Sequence, residues 1–167
     1  MNEINFTSQI SKKDFIRFNY YSYYRRWSAK LMVLATPFFI YITVLSFLNK
    51  VESNYKWFLI FLSSMVIYVP ISIYFSSKKA YKNQPILHEQ MNYEITDEFI
   101  TVKGGTFKST QSWANVISVS ETKNLILIWE NPKAARLIPK ESLNNDQIAI
   151  LNKIVDLQSH VENKLKK

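Results

Sequence analysis

The chain has 167 residues, no cysteine and a formal net charge of +8 at pH 7. Its length allows a membrane hairpin and one small domain, and the lack of cysteine excludes a disulfide scaffold or a thiolate metal site. Residues 91–167 carry ten Lys or Arg against nine Asp or Glu, so the excess charge lies in the first half. Nucleic acid is therefore not an expected partner.

Residues 1–30 predict an N-terminal juxtamembrane segment. INFTSQ favours a short strand, and SKKDFIRFNYYSYYRRW favours a helix. Ser11 is the candidate N-cap, with Asp14 at the capping-box position. The aromatic residues beside Arg25 and Arg26 are typical of a helix lying at a membrane interface. Anchoring by an aromatic belt is the simpler interpretation, and a specific lipid or ligand site is the alternative.

Two uncharged apolar stretches dominate the middle of the sequence, at residues 31–48 and 57–75. At about 1.5 Å per helical residue each reaches roughly 27–29 Å, close to the ~30 Å hydrocarbon core of a bilayer. With the short connector at residues 49–56 they predict a transmembrane hairpin over residues 31–82. A hairpin buried in a soluble core is the alternative, and two consecutive uncharged runs of this length disfavour it.

Polar residues inside these stretches are expected to contribute to packing between the two helices. They do not indicate a transport pathway. Prolines in each stretch predict kinks, and hydroxyl side chains are candidates for hydrogen bonds between the helices. These residues are Pro37, Pro70, Thr43, Ser46, Ser63 and Ser64. Because neither stretch contains an ionisable residue, a channel or transporter is not expected, and a homo-oligomer is left open.

Basic residues flank the outer ends of both stretches more heavily than the connector. The positive-inside rule then places both termini of this multi-pass membrane protein in the cytoplasm. Aromatic residues at the ends fit interfacial belts. The residues expected to anchor the chain among membrane lipids are Arg25, Arg26, Trp27, Lys30, Trp57, Tyr74, Lys78, Lys79 and Lys82.

From residue 91 the hydrophobic pattern becomes alternating, which predicts a cytoplasmic β-rich domain over residues 91–167. The predicted strands are NYEIT, FITVK, TFKSTQSW, NVISVSE, LILIWE and ARLIP. DQIAILNKIVDLQSHVENKL then predicts an amphipathic helix, capped by Asn144 or Asn145. The expected fold is α+β: a transmembrane hairpin, then a small antiparallel sandwich or partly open barrel capped by the C-terminal helix.

Short motifs resemble the YcxB-like family of small bacterial membrane proteins. They are Lys13-Asp14-Phe15, Tyr93-Glu94-Ile95-Thr96, Trp113-Ala114-Asn115-Val116, Glu121-Thr122-Lys123 and Leu137-Ile138-Pro139-Lys140. The resemblance implies a two-helix hairpin followed by a domain similar to a pleckstrin-homology barrel. It makes Trp113 and Pro139 structural signature positions and implies no catalytic role for them.

The sequence contains no recognisable catalytic constellation. His88 and His160 lie far apart, solvated positions are expected for both, and no nucleotide-binding or hydrolase motif occurs. Acidic residues near one turn and on neighbouring strands fit strand-edge solubility as well as acid–base chemistry. These are Glu94, Asp97, Glu98, Glu121 and Glu130. We therefore expect no enzyme, no cofactor and no metal.

Lys103 and Lys108 flank Gly104–Gly105, the two glycines of the chain. A pleckstrin-type domain carries lipid-binding basic residues at such a turn, and a solvated hairpin tip is the alternative. Together with Trp113, these lysines are the candidate contacts for a partner or lipid.

Two functions compete. The first is a non-enzymatic binding module, anchored in the inner membrane, whose β-domain recognises a protein or peptide by adding a strand at an exposed edge. The second is an immunity protein whose hairpin protects the membrane from a toxin. A lipid-binding domain is a minor alternative.

Overall fold

The computed structural model describes residues 2–48 and 56–165. The chain up to Phe15 and from Tyr81 onward forms a β-rich unit, and Ile16–Ala80 forms a helical unit. Each unit is compact by itself.

Three helices run from the N-terminal segment through the apolar stretches. They are α1 (Lys12–Tyr24), α2 (Trp27–Phe47) and α3 (Lys56–Asn83). At the start of α1, the backbone N–H of Asp14 donates to Ser11 Oγ at 3.1 Å, which confirms the predicted N-cap. A turn at Arg25–Arg26 separates α1 from α2, whereas the sequence had favoured one helix through Trp27.

Both α2 and α3 are long and apolar enough to cross a membrane. Neither helix ends at its proline, since α2 continues past Pro37 and α3 past Pro70. The hydroxyl oxygens of Thr43 and Ser63 lie 3.0 Å apart, which confirms the predicted hydrogen bond between the helices. Ser64 instead donates within α3, to the carbonyl of Phe61. Residues 49–55 of the predicted connector lie outside the described residues, and its last residue, Lys56, begins α3.

The strands form two four-stranded sheets. The first sheet has the order β1-β2-β3-β4, with β1 (Glu3–Ser8), β2 (Met91–Thr96), β3 (Phe99–Lys103) and β4 (Lys108–Ser112). The second has the order β7-β6-β5-β8, with β5 (Ser118–Glu121), β6 (Leu125–Asn131), β7 (Ala134–Pro139) and β8 (Glu162–Lys164). All neighbours are antiparallel except β5 and β8, which are parallel.

Both sheets are open, so the expected barrel is not closed in the described part of the chain. Closure needs a hydrogen-bonded ladder between the edge strands of the two sheets, and no such ladder joins β4 to β7 or β1 to β8. The two longest predicted strands are also shortened where they approach each other. The first ends at Ser112 and the second begins only at Ser118, because Trp113–Asn115 forms a short 3₁₀ turn between β4 and β5.

The C-terminal helix is shorter than predicted. It is α4 (Asn145–Asp156), and its capping box joins Asn144 and Gln147 in both directions, at 2.7 and 2.9 Å. The prediction of helix as far as residue 165 was wrong, because the chain turns back and becomes β8. There the N–H of Glu162 donates to the carbonyl of Ile117 at 3.1 Å, so pairing with β5 replaces the last helical turns.

The core of the β-rich unit lies between the two sheets and α4. Its side chains come from both sheets and from the apolar stripe of α4, and they are fully buried. The largest fully buried members of this core are Trp113, Ile95, Ile100, Ile126, Ile128, Ile138, Leu151 and Ile154.

Candidate binding site

The two edges of the first sheet differ in how they are covered. At the β1 edge, Gln147 Nε2 of α4 donates to the carbonyl of Asn5 at 2.9 Å. Near the end of the same strand, the hydroxyls of Ser8 and Ser142 lie 3.2 Å apart. The β1 edge is therefore occupied by the C-terminal part of the chain.

The β4 edge carries no second ladder among the described residues. The N–H of Gly104 donates to the carbonyl of Phe107, and that of Trp113 to the carbonyl of Glu98. Hydrogen-bonded pairs alternate along an antiparallel ladder, so Ser109 and Gln111 also face β3. The backbone groups of the three residues between these positions point away from the sheet: Lys108, Thr110 and Ser112.

A groove runs beside this open edge. It is lined by Ser109, Thr110, Gln111, Ser112, Ala114, Asn115, Ile117, Glu130 and Asn131. Ile117 is 49% exposed and gives the groove one large apolar contact surface. The charge of Glu130 is balanced by Arg136, whose Nε lies 2.5 Å from the Glu130 carboxylate. The groove therefore offers unpaired strand groups, one apolar position and little net charge.

Arg136 also links the facing edge strands of the two sheets. Besides its ion pair on the second sheet, its Nη2 donates to Gln111 Oε1 at 2.8 Å and to Ser109 Oγ at 3.3 Å on β4. This side-chain bridge stands where a closed barrel would have a backbone ladder. It holds β4 in place while leaving its outward N–H and C=O groups unused.

The hairpin tip after β3 is fixed by an internal carboxylate. Glu89 accepts hydrogen bonds from the N–H groups of Gly105 and Thr106, at 2.9 and 3.2 Å, and from the Thr106 hydroxyl at 2.9 Å. Lys103 and Lys108 face each other across this hairpin, and Lys103 pairs with Glu94 at 3.2 Å. The turn predicted from the glycines is confirmed, and a glutamate already occupies its amide donors.

Trp113 has a structural position. It is 1% exposed, and its Nε1 donates to the carbonyl of Thr96 at 2.8 Å. His160 Nε2 lies 2.9 Å from the carbonyl of Trp113. Because its ring is inside the core, Trp113 presents no surface to a partner, and Lys103 and Lys108 remain the exposed members of the predicted contact set.

Three more of the singled-out side chains, Glu121, Glu130 and His88, form structural contacts. Glu121 pairs with Lys140, as Glu130 does with Arg136. His88 is exposed, as expected, and its Nε2 lies 2.8 Å from the carbonyl of Tyr81. All nine predicted membrane-anchoring residues are exposed, from Arg25 in the turn before α2 to Lys82 at the end of α3.

Burial changes the acidity of one tyrosine in the core. The pKa of Tyr93 is raised to about 12, mainly by desolvation and with an opposing effect from the Arg136 charge. Its ring stacks on Phe6 with centroids 5.0 Å apart, and its hydroxyl has Met91 Sδ as a weak partner at 3.8 Å. The raised pKa marks a packed aromatic pair and assigns Tyr93 no chemical role.

The fold defines an α+β protein with two membrane-length helices. Residues 95–155, from β2 to α4, match the model of the YcxB-like protein family, so this stretch of the chain is YcxB-like. The resemblance noted in the sequence is thereby confirmed over that range. No curated protein and no solved structure matches the chain.

Sequence reasoning located the glycine turn and predicted an exposed edge, but it did not identify β4 as that edge or find the Arg136 bridge. Both depend on which strands become edges, and no local pattern encodes that. One signal was present in the composition of β4: its sequence, KSTQS, is polar throughout, which is typical of an edge strand.

Proposed function

We propose that this chain is a non-enzymatic binding module anchored in a bacterial inner membrane by its helical hairpin. Both termini lie in the cytoplasm, and the β-rich unit, which resembles an incompletely closed pleckstrin-homology barrel, recognises a protein partner. The partner contributes an extended segment that pairs with β4. The observation that carries this proposal is the contrast between the covered β1 edge and the open β4 edge.

Exposure of the apolar helices supports the membrane anchor. Only 6% of each apolar stretch is buried within the protein, whereas a hairpin in a soluble core would be mostly buried. Leu34 of α2 is 78% exposed and Trp57 of α3 is 84% exposed. Apolar surface left in water costs about 25 cal/mol per Å², so a lipid environment is strongly favoured for this surface.

The pairing of β1 with β2 supports the two-span topology. These strands precede α1 and follow α3, yet Ile4 faces Ile95 and Phe6 faces Tyr93 in one ladder. Two strands of one ladder must lie on the same side of a membrane, which requires an even number of crossings between them. The basic residues at the outer ends of the helices favour the cytoplasmic side.

The β4 edge supports strand addition as the mode of recognition. An added strand would hydrogen-bond to the outward groups of Lys108, Thr110 and Ser112, and alternate side chains of the partner would reach the groove. Ile117 provides the contact for an apolar partner residue. Since the groove carries little net charge, the preferred segment is extended, predominantly neutral and apolar at one alternate position.

Thr110 allows a sharp test of strand addition. Thr110→Pro removes an N–H that points away from β3, so the internal ladder survives while the outer edge loses a donor. Thr110→Ala removes the same hydroxyl and keeps the N–H. With a photo-crosslinking residue at Ser112 in the full chain in cells, we expect Thr110→Pro to reduce the crosslinked adduct about tenfold and Thr110→Ala less than about twofold.

Equal adduct yields in the two variants would refute strand addition at this edge.

A second comparison addresses the immunity alternative. Replacing the apolar stretches by an unrelated two-span anchor should preserve the adduct if the β-rich unit carries function. Protection from a membrane-acting toxin through the hairpin predicts instead that the replacement abolishes function.

A further inference from the structure

We propose that the helical unit binds one anionic phospholipid in a pocket between the end of α1 and the start of α2. Lys30 and Tyr24 contact the phosphate-bearing headgroup, and Val33 and Leu34 contact an acyl chain. This inference rests on the membrane anchor of the proposed function and is independent of recognition at β4.

The pocket is predominantly apolar and has one cationic side chain in its lining. Its lining consists of Tyr24 from the last turn of α1 and of Lys30, Val33 and Leu34 from α2. A smaller recess shares two of these side chains and continues to α3. That recess is lined by Tyr24, Met32, Val33, Thr36, Val66 and Val69. A phospholipid fits this lining, because its headgroup can meet the cation and the phenol while its acyl chain meets the aliphatic side chains.

The wall provided by α1 is fixed before any ligand binds. The hydroxyl of Tyr20, one turn before Tyr24, donates to the carbonyl of Pro70 at 2.7 Å and so ties α1 to α3. The ring of Tyr24 packs against those of Tyr20 and Tyr23, with centroids 6.5 and 5.2 Å apart. A preformed wall lowers the entropy lost on binding.

The charge of the helical unit selects an anion. Between Asp14 and Glu89 the sequence contains a single acidic residue, Glu52. Arg26 is the N-cap residue of α2 and Lys30 lies in its first turn. Neither has a carboxylate partner among residues 2–48 and 56–165. A phosphodiester supplies the missing negative charge, and the apolar wall requires that it carry hydrocarbon.

The test uses the full chain reconstituted in nanodiscs with equal amounts of phosphatidylglycerol and phosphatidylcholine. Native mass spectrometry then counts the lipids retained after release. We expect one retained phosphatidylglycerol, favoured about fivefold over phosphatidylcholine, and a loss of that preference in Lys30→Gln. Val33→Phe, which fills both recesses without changing charge, should reduce retention to a similar extent.

Lys79→Gln is the matched control, because it removes the same charge from the hairpin without altering the pocket lining. Retention should persist in this variant. Equal losses in Lys30→Gln and Lys79→Gln would show general surface attraction and overturn the site. Displacement of the lipid by inorganic phosphate, or a lipid-free dimer covering the pocket, would overturn it as well. Failure of the chain to enter nanodiscs would refute the membrane anchor itself, whereas loss of capture at β4 would leave this site standing.

Discussion

The β-rich and helical units use the same apolar residue types in opposite ways. Ile95 and Leu127 of the β-rich unit are completely buried, whereas Leu34 and Trp57 of the helical unit are 78% and 84% exposed. In most of the β-rich unit apolar residues alternate with polar ones, so one face of a strand can turn inward. In the helical unit they run continuously and cover every face. The comparison teaches that the arrangement of apolar residues along the chain, rather than their number, decides whether a unit buries them or leaves them on its surface.

Removing a core tryptophan should produce the largest effect and should be confined to the β-rich unit. Trp113→Ala deletes a ring that is 1% exposed and its hydrogen bond to Thr96, so we expect a loss of about 3–5 kcal/mol in the free energy of unfolding. Urea unfolding in mild detergent, followed by hydrogen exchange, measures it. Trp27→Ala is the control, because Trp27 is 73% exposed and should leave that free energy unchanged.

A charge on the helical surface should have the next largest effect. Phe38 lies near the middle of α2 and is 63% exposed. If lipid surrounds it, Phe38→Arg should make membrane insertion less favourable by about 3 kcal/mol, while Phe38→Leu changes little. The fraction of chain resistant to carbonate extraction reports insertion. In a water-exposed helix the arginine would be harmless, so undiminished membrane association would contradict the comparison.

Alkaline pH should weaken the β-rich unit through Tyr93. Its pKa in the folded protein is raised from the ordinary value of 10.0 to about 12, so the folded state holds the proton more tightly. The resulting stability is complete below pH 10 and is lost as the pH rises from 10 to 12, by about 2–3 kcal/mol in total. When the free energy of unfolding is plotted against pH, the curves for the parent and Tyr93→Phe should therefore converge or cross between pH 10 and 12. Parallel curves would show that this hydroxyl does not titrate with folding.

Substitution by alanine should affect stability differently at the two glycines. A Cβ at Gly104 would lie 2.5 Å from Phe107 Cε1, whereas the nearest atom to a Cβ at Gly105 is 3.5 Å away. Since Phe107 packs against the core, Gly104→Ala should destabilise the β-rich unit by about 1–2 kcal/mol and Gly105→Ala by less than about 0.5 kcal/mol. Thermal melting of the two variants side by side measures the difference. Equal melting temperatures would show that the Phe107 ring moves aside freely.

Local patterns predicted most elements of the fold and little of its assembly. Alternation located the six strands from β2 to β7, and the continuous apolar runs located α2 and α3. The partner of β1 lies some 80 residues away, and no local signal identifies it. The end of α4 at Asp156 was missed because pairing of β8 with β5, a tertiary contact, overrides the helical spacing of Val161 and Leu165.

At the candidate site, too, local features were predicted from the sequence and long-range features were not. The turn between Lys103 and Lys108 was predicted, because glycine placement is local. The burial of Trp113 and the unused edge of β4 were not, because each depends on where distant strands come to rest. No sequence motif marks Arg136, because its bridge to Gln111 forms only when the β4 and β7 edges face each other.

The ladder between β1 and β2 also sets an order of events during synthesis. The β1 strand leaves the ribosome first but has no partner until β2 follows, after both apolar helices. At 5–20 residues per second the intervening stretch takes roughly 4–17 s to make. Throughout that interval β1 remains without its β2 partner, and the first sheet can form only once both apolar helices have been made. Synthesis of the helical unit thus precedes completion of the β-rich unit.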